Sequence, residues 1–306
     1  MKSAYKPQKT KELCTNVNNW VVMGNSLLKG KSSLTAIQAK IIRTVIMQTK
    51  IEDTNISPYS IKAKEMADLL NLKGNNQARD LKKACCDLVE KVVKIETNNP
   101  KKPWKVIPWF GYIEYTKSAD IVIQLNPWLS PYLIGLKKHY TQYILEFVLG
   151  MNSIYSIRVY ELLKMKLPND TLPPGGITVS LSNEEIRKAT ESEGKYEKNS
   201  DFKRKILDVA TKEINEKADI NVNYKQKKIN GRAYDTVEFE CKSRWDTGED
   251  LALDVQCKAK LIKMNELRKK QGKKSLGMYD DIVQGRKFAT IEEFELFLID
   301  YIAQNG

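Results

Sequence analysis

Apolar and polar positions along the chain follow two rhythms, and they do so twice in the same order. From Ser33 to Thr49 the apolar residues Leu34, Ile37, Ile41, Val45 and Ile46 recur at helical spacing, and Thr35 with Gln38 forms the capping-box pair expected at a helix start. Pro58 breaks the pattern, residues 61–72 read as a short helix, Gly74-Asn75-Asn76 as a turn, and 77–91 as a third helix. From Val92 the rhythm changes to alternation in VVKIE, WKVIPWFGYIEY and ADIVIQL, with Thr116-Lys117-Ser118 as the turn between the last two. Asn126-Pro127 then opens a linking helix toward Lys137, because Asn caps and Pro suits the first helical position.

The second run begins with a helix over 153–167, in which Ile154, Ile157, Tyr160, Leu162 and Leu163 line one side. A short strand follows at Ile177 to Leu181, and Ser182 with Glu185 caps a second helix reaching about Thr190. Ser200 or Asp201 caps a longer third helix with Phe202, Ile206, Val209, Ala210 and Ile214 on one face. Residues 219–225 and 233–240 alternate around a turn at Lys227 to Gly231. Three helices and then a hairpin is the order of a winged-helix unit, whose third helix enters the major groove with the hairpin beside it. The expected fold class is therefore α+β: two tandem winged-helix domains plus a short helical C-terminal extension. The boundaries are a flexible basic N-terminus at 1–15, a first domain at 16–136, a second at 137–245 carrying the main DNA recognition, and the extension at 246–306. The extension reads as helical near 252–270 and 291–303.

Charge says where a polyanion would bind. The 306 residues carry 51 Lys and Arg against 38 Asp and Glu, a net +13. Residues 16–136 hold +7, 137–245 hold +4 and 1–15 hold +3, whereas 246–306 is at −1. An excess of this kind on an otherwise globular composition points to nucleic acid or an anionic surface. A single histidine, His139, excludes the multi-histidine zinc sites and the paired-histidine motif of nicking enzymes. Five cysteines with no C-x-x-C pair fit neither a disulfide framework nor a zinc ribbon. Free thiols, the lack of an apolar leader and the lack of a membrane-spanning run suggest a cytoplasmic protein.

Within that charge, Lys203-Arg204-Lys205 place three consecutive cations in the first turns of a helix whose other face is apolar, with Lys212 farther along. Cations at a helix N-terminus oppose the macrodipole at a cost of a few tenths of a kcal/mol, which a phosphate or a guanine edge would offset. The following hairpin adds Lys227, Lys228 and Arg232. In the first unit Arg79, Lys82 and Lys83 share a helix face, and Lys101 and Lys102 precede the hairpin. A solvated lysine-rich face is the plain alternative for each cluster. The aromatic group Trp104, Trp109, Phe110, Tyr112 and Tyr115 reads as the core face of the first hairpin rather than as a platform for stacking bases. Gly24-x5-Gly30-Lys31-Ser32 resembles a phosphate-binding loop but has five residues between its glycines where that loop has four. No constellation suggests an enzyme, a metal or a cofactor.

Four stretches together resemble the iteron-binding plasmid replication initiators, the initiator replication protein family built of two winged-helix domains. They are Val21 to Leu27, Tyr132 to Tyr143, Ser153 to Lys164, and Asp201 to Lys205 continuing to Glu213-Ile214-Asn215. The resemblance implies that helix 201–217 reads the major groove of repeated double-stranded origin sites and that helix 77–91 contacts an adjacent part of each repeat. It further implies a homodimer in equilibrium with a monomer, origin opening, recruitment of the host initiator and replicative helicase, and autorepression. Gly24, where such proteins often have Ser, His139, and the whole of 246–306 depart from the family pattern. The extension is open between dimerisation, host-protein contact and simple packing. A winged-helix transcriptional regulator with no role in initiation uses the same two units, and an origin-dependent replication assay separates the two readings.

Overall fold

The computed structural model describes residues 10–244 except 73–75, 98, 169–171, 174 and 230–232, and beyond Arg244 the helix Ile291–Asn305 with scattered residues between 257 and 290. The expected flexible N-terminus is partly anchored. Strand β1 (Lys11–Glu12) pairs in parallel with Tyr59 and Ser60, and Leu13 is buried. Strand β2 (Trp20–Gly24) and the single turn α1 (Asn25–Leu28) lead to α2 (Ala36–Ile46), where the Thr35–Gln38 capping box is formed in both directions. Residues 61–72 divide into strand β3 (Tyr59–Lys62) and helix α3 (Ala63–Leu69), and α4 (Gln77–Val89) follows.

The long alternating run folds as two hairpins. Strands β4 (Val92–Glu96) and β5 (Trp104–Pro108) form one, and β6 (Phe110–Tyr115) and β7 (Asp120–Leu125) the other, the latter joining a sheet of order β1-β3-β7-β6. The linking helix is a 3-10 turn over Pro127–Tyr132 capped by Asn126, and it stops well short of Lys137. Strand β8 (Tyr140–Ile144) runs back along β2, pairing Trp20 with Ile144 and Gly24 with Tyr140. His139, at φ 56°, turns the chain into this strand, and its carbonyl accepts from the Asn25 N–H at 2.8 Å.

Helix α5 (Leu145–Gly150) precedes α6 (Ile154–Lys166), whose first turn is capped by Ser153. The expected one-sided helix is instead buried around most of its circumference, Arg158, Glu161 and Lys164 included. It lies between α2 on one side and the elements of the second unit on the other. These are β9 (Ile177–Ser182), α7 (Asn183–Thr190) with its Ser182–Glu185 capping box, α8 (Asn199–Phe202), a π-helical turn over Lys203–Leu207, α9 (Asp208–Lys217), β10 (Ile220–Ile229) and β11 (Ala233–Ser243). The sheet order is β10-β11-β9. One hydrophobic core runs from Leu13 to Cys241 through both units, and a separate small cluster of Cys257, Leu261, Ile282, Val283, Phe294 and Leu298 belongs to the extension. The Ile291–Asn305 helix lies where one was expected, whereas most of 252–270 falls outside the described residues.

The polar residues of α6 hold this junction together. Arg43 Nε and Nη2 donate to the two Glu161 oxygens at 2.9 Å each, Tyr143 Oη donates to Glu161 at 2.6 Å, and Arg158 Nη1 lies 3.4 Å from it. Burial opposes the Glu161 charge, but the two guanidiniums and the Tyr143 hydroxyl together hold its carboxyl below the usual range. From the same helix, Tyr160 Oη and Lys164 Nζ both donate to Asp219, at 2.9 and 3.0 Å.

Candidate nucleic-acid interface

Helices α8 and α9 with the π-helical turn between them form one continuous rod over Asn199–Lys217. Phe202, Ile206, Leu207, Ala210 and Ile214 are fully buried beneath it. Lys203, Arg204, Lys205 and Lys212 lie on its exposed side. The three consecutive cations occupy the π-helical turn, a wider turn found often at functional sites because it re-aims side chains locally. The rod begins at Asn199, after Lys198 rather than at the expected Ser200 or Asp201 cap. Arg187 sets its entry: the guanidinium stacks 4.3 Å over the Phe202 ring and donates to the carbonyls of Lys195 and Tyr196 at 2.5 and 2.8 Å. Lys195 and Lys198 are exposed in the turn so formed. Glu193 and Glu197 dilute them in the sequence, where they form no run of cations.

Three side-chain links lock this rod to the hairpin β10–β11. Asn199 and Gln226 exchange amide hydrogen bonds at 3.2 and 2.9 Å, Tyr224 Oη donates to Asp208, and Asn215 both donates to the Val222 carbonyl at 2.9 Å and accepts from its N–H at 2.6 Å. Glu213, on the same rod, accepts from the Asn152 and Ser153 N–H groups at 3.0–3.2 Å and so holds the start of α6. The Glu213-Ile214-Asn215 stretch is therefore structural.

The hairpin's cations are exposed and loosely paired. Lys227 meets Glu238 at 2.5 Å, Lys225 meets Glu240 at 2.9 Å, and Lys228 lies 4.9 Å over the Tyr234 ring. Arg204 is paired with Asp201 at 2.8 Å. Exposed pairs of this kind contribute at most about 1 kcal/mol, so an incoming phosphate can displace the carboxylate. Lys203, Lys205 and Lys212 have no carboxylate partner among the described residues. Arg232 lies outside the described residues.

In the first unit α4 buries Leu81, Ala84, Cys85 and Leu88 and exposes Arg79, Lys82 and Lys83. Arg79 is 3.5 Å from Asp80, and Lys82 lies 5.7 Å over the Tyr115 ring. Lys101 and Lys102 are exposed in the β4–β5 turn, which Asn99 organises by accepting from the Lys101 N–H at 2.9 Å. The expectation that the nearby aromatics are all core holds for Trp109 and Phe110 only. Trp104, Tyr112 and Tyr115 are 55%, 48% and 41% exposed, because the run folds as two hairpins and turns those rings outward. Lys94 lies 5.3 Å over Trp104, a cation that the sequence analysis passed over.

Among the described residues no group of three or more His, Cys, Asp or Glu is placed to hold a metal ion, and no helix is long and apolar enough to cross a membrane.

Comparison with known proteins agrees with this arrangement. The family model described as Initiator Replication protein, WH1 matches residues 20–164, and that described as Initiator Rep protein, WH2 matches 182–241. A replication initiation protein of Escherichia coli is 25% identical over 253 residues, which covers 80% of this chain and 75% of that protein. The fold is similar to that in a crystal structure of the Pi initiator protein in complex with iteron DNA, with a TM-score of 0.64 and 18% identity over 74% of this chain and 98% of that one. Two family-model matches, in order and spanning most of the folded core, lead to one conclusion: this chain belongs to the initiator replication protein family and is built from its two winged-helix domains.

Proposed function

We propose that this protein initiates plasmid replication by binding repeated double-stranded sites at an origin, acting by binding rather than by catalysis. The observation that carries the proposal is the locking of the 199–217 rod to the β10–β11 hairpin, which makes a single rigid cationic surface. In this reading Lys203, Arg204, Lys205 and Lys212 enter the major groove while Lys227, Lys228 and Arg232 hold the backbone. Arg79, Lys82, Lys83, Lys101 and Lys102 of the first domain contact the adjacent part of each repeat. Family membership supports origin opening with recruitment of host replication proteins, autorepression, and exchange between monomer and dimer as the rest of the cycle.

Binding isotherms of the full chain on DNA flanking its coding sequence test the reading. Contact with 6–10 phosphates predicts an affinity loss of about 10³–10⁵ between 50 and 200 mM salt, with protection confined to direct repeats. A salt-insensitive affinity, or protection independent of sequence, would count against it. Loss of plasmid copying in an origin-dependent assay on deleting those repeats separates an initiator from a repressor.

A further inference from the structure

The loop Gly30–Ser33, singled out in the sequence for its likeness to a phosphate-binding loop, holds an anion that belongs to the protein itself. Ser33 stands at φ 47°, and the N–H groups of Ser32 and Ser33 both point at the carboxylate of Glu191, each at 2.8 Å. Ser33 Oγ adds a third donor at 3.2 Å, and Lys31 reaches Glu193 at 2.5 Å. A non-glycine residue at positive φ is held there only when its surroundings demand it. Glu191 is itself at φ 52°, in the left-handed cap that ends α7. From behind, the buried Arg158 guanidinium donates to the Gly30 carbonyl at 3.1 Å and to the Ala189 carbonyl at 2.8 Å, spanning both loops with one planar group.

The two segments so joined lead directly to the two DNA-facing surfaces. On one side Lys31 and Lys94 exchange backbone hydrogen bonds at 3.1 and 2.8 Å, which ties the loop to β4 and hence to the hairpin bearing Lys101 and Lys102. Gly30 packs so closely there that a Cβ would fall 2.3 Å from Val93 Cγ2. On the other side α7 is the helix before the recognition rod, and its Lys188 pairs with Glu96 of β4 at 2.8 Å.

We infer that Glu191, with the Lys31–Glu193 pair, fixes the helical phase between the DNA segments read by the two domains, and so determines which spacing of those two segments within one repeat the protein accepts. The inference rests on the double-stranded-site reading above. One inserted base pair shifts the second segment by about 3.4 Å and rotates it by roughly 35° about the duplex axis. A rigid pair of domains cannot follow that movement, whereas a pair without the staple is held by the shared core alone and yields part of it, which shifts the cost toward that of joined modules.

The test uses the full chain and a duplex selected by it from a randomised 40-base-pair library. Footprinting locates the two protected segments, and one base pair is then inserted between them. Wild type should lose roughly 100-fold in affinity on insertion, and Glu191→Ala about tenfold or less, with affinity for the unaltered duplex falling far less than the penalty does. Glu191→Gln, which keeps an acceptor, should restore most of the wild-type penalty. Lys31→Ala combined with Glu193→Ala removes side chains that are 36% and 49% exposed, and should lower the penalty in the same direction. For whichever of these variants keeps a cooperative unfolding transition, an insertion penalty equal to that of wild type overturns the inference, and so does a wild type that tolerates the insertion. A selection that enriches no duplex overturns the double-stranded-site reading and this inference with it.

Discussion

Replacing Lys203, Arg204 and Lys205 together by alanine will weaken binding to a duplex site by about 10²–10³-fold at 0.1 M salt, if each cation neutralises one phosphate. The arithmetic follows from counterion release: three contacts remove about 2.7 from the slope of log K against log salt, worth nearly three decades at tenfold dilution from 1 M. The variant should fold as wild type does, because all three side chains are exposed and the buried face of the rod is untouched. A salt titration reads the effect directly. The slope separates phosphate contacts from base contacts: a cation that reads a base leaves the salt slope little changed and relaxes the sequence preference at one position. Arg204 is the residue with the geometry for that second role, since a guanidinium can meet a guanine edge with two hydrogen bonds. Arg204→Ala alone is then expected to cost about 1–3 kcal/mol on the selected site and less on a site altered at the matching base. Uniform weakening on every sequence would instead assign it to the backbone.

Removal of the buried guanidinium of Arg43 should be the most damaging single change to stability. Arg43→Ala leaves Glu161 charged and fully enclosed, and breaking one side of such a pair costs about 3–5 kcal/mol. Urea unfolding will show this as a lower midpoint at similar slope. Arg43→Met with Glu161→Leu should recover only part of the loss: the enclosed carboxylate is gone, but the buried Arg158 guanidinium loses its ion-pair partner and Tyr143 its acceptor. The acid side of the stability profile follows from the same carboxylate. Its folded-state pKa is held below the ordinary glutamate value, so its contribution is complete above that value and is lost as pH falls through the folded-state pKa. Glu161→Gln should therefore flatten the acid limb while lowering stability at neutral pH. An acid limb identical to that of wild type would place the pH sensitivity elsewhere.

The comparison of pattern with structure explains which features could be read in advance. Capping boxes were legible because their signals are local: Thr35 with Gln38, and Ser182 with Glu185, each occupy the cap that spacing assigns them. The cationic face of the 199–217 rod was legible for the same reason, since four-residue spacing of Phe202, Ile206, Ala210 and Ile214 leaves only one side for Lys203 to Lys205. Long-range pairing was not. Trp20–Gly24 is short and apolar, Tyr140–Ile144 short and half-polar, and nothing in either announces the other. Helix α6 was misjudged because its polar residues looked like a solvent face, when their partners are Arg43, Gly30, Ala189 and Asp219 on other elements. The aromatic run was assigned to core as a block because periodicity does not show where one hairpin ends and the next begins. Pro108, the last residue of β5, and Trp109, the one residue between β5 and β6, mark that break. The Glu191 staple joins residues nearly 160 positions apart through backbone donors, which carry no sequence signature.

The pairing of β2 with β8 also sets a clock for synthesis. Tyr140 leaves the ribosome 120 residues after Trp20. At about 5–20 residues per second, strand β2 waits roughly 6–24 s for its partner. Throughout that interval the backbone groups of Val21, Val22 and Met23 are an unpaired edge beside an incomplete core, the condition under which nascent chains pair with one another. Codon choice and temperature over residues 25–144 should therefore govern how much of the protein reaches its native form, independently of how stable that form is once made.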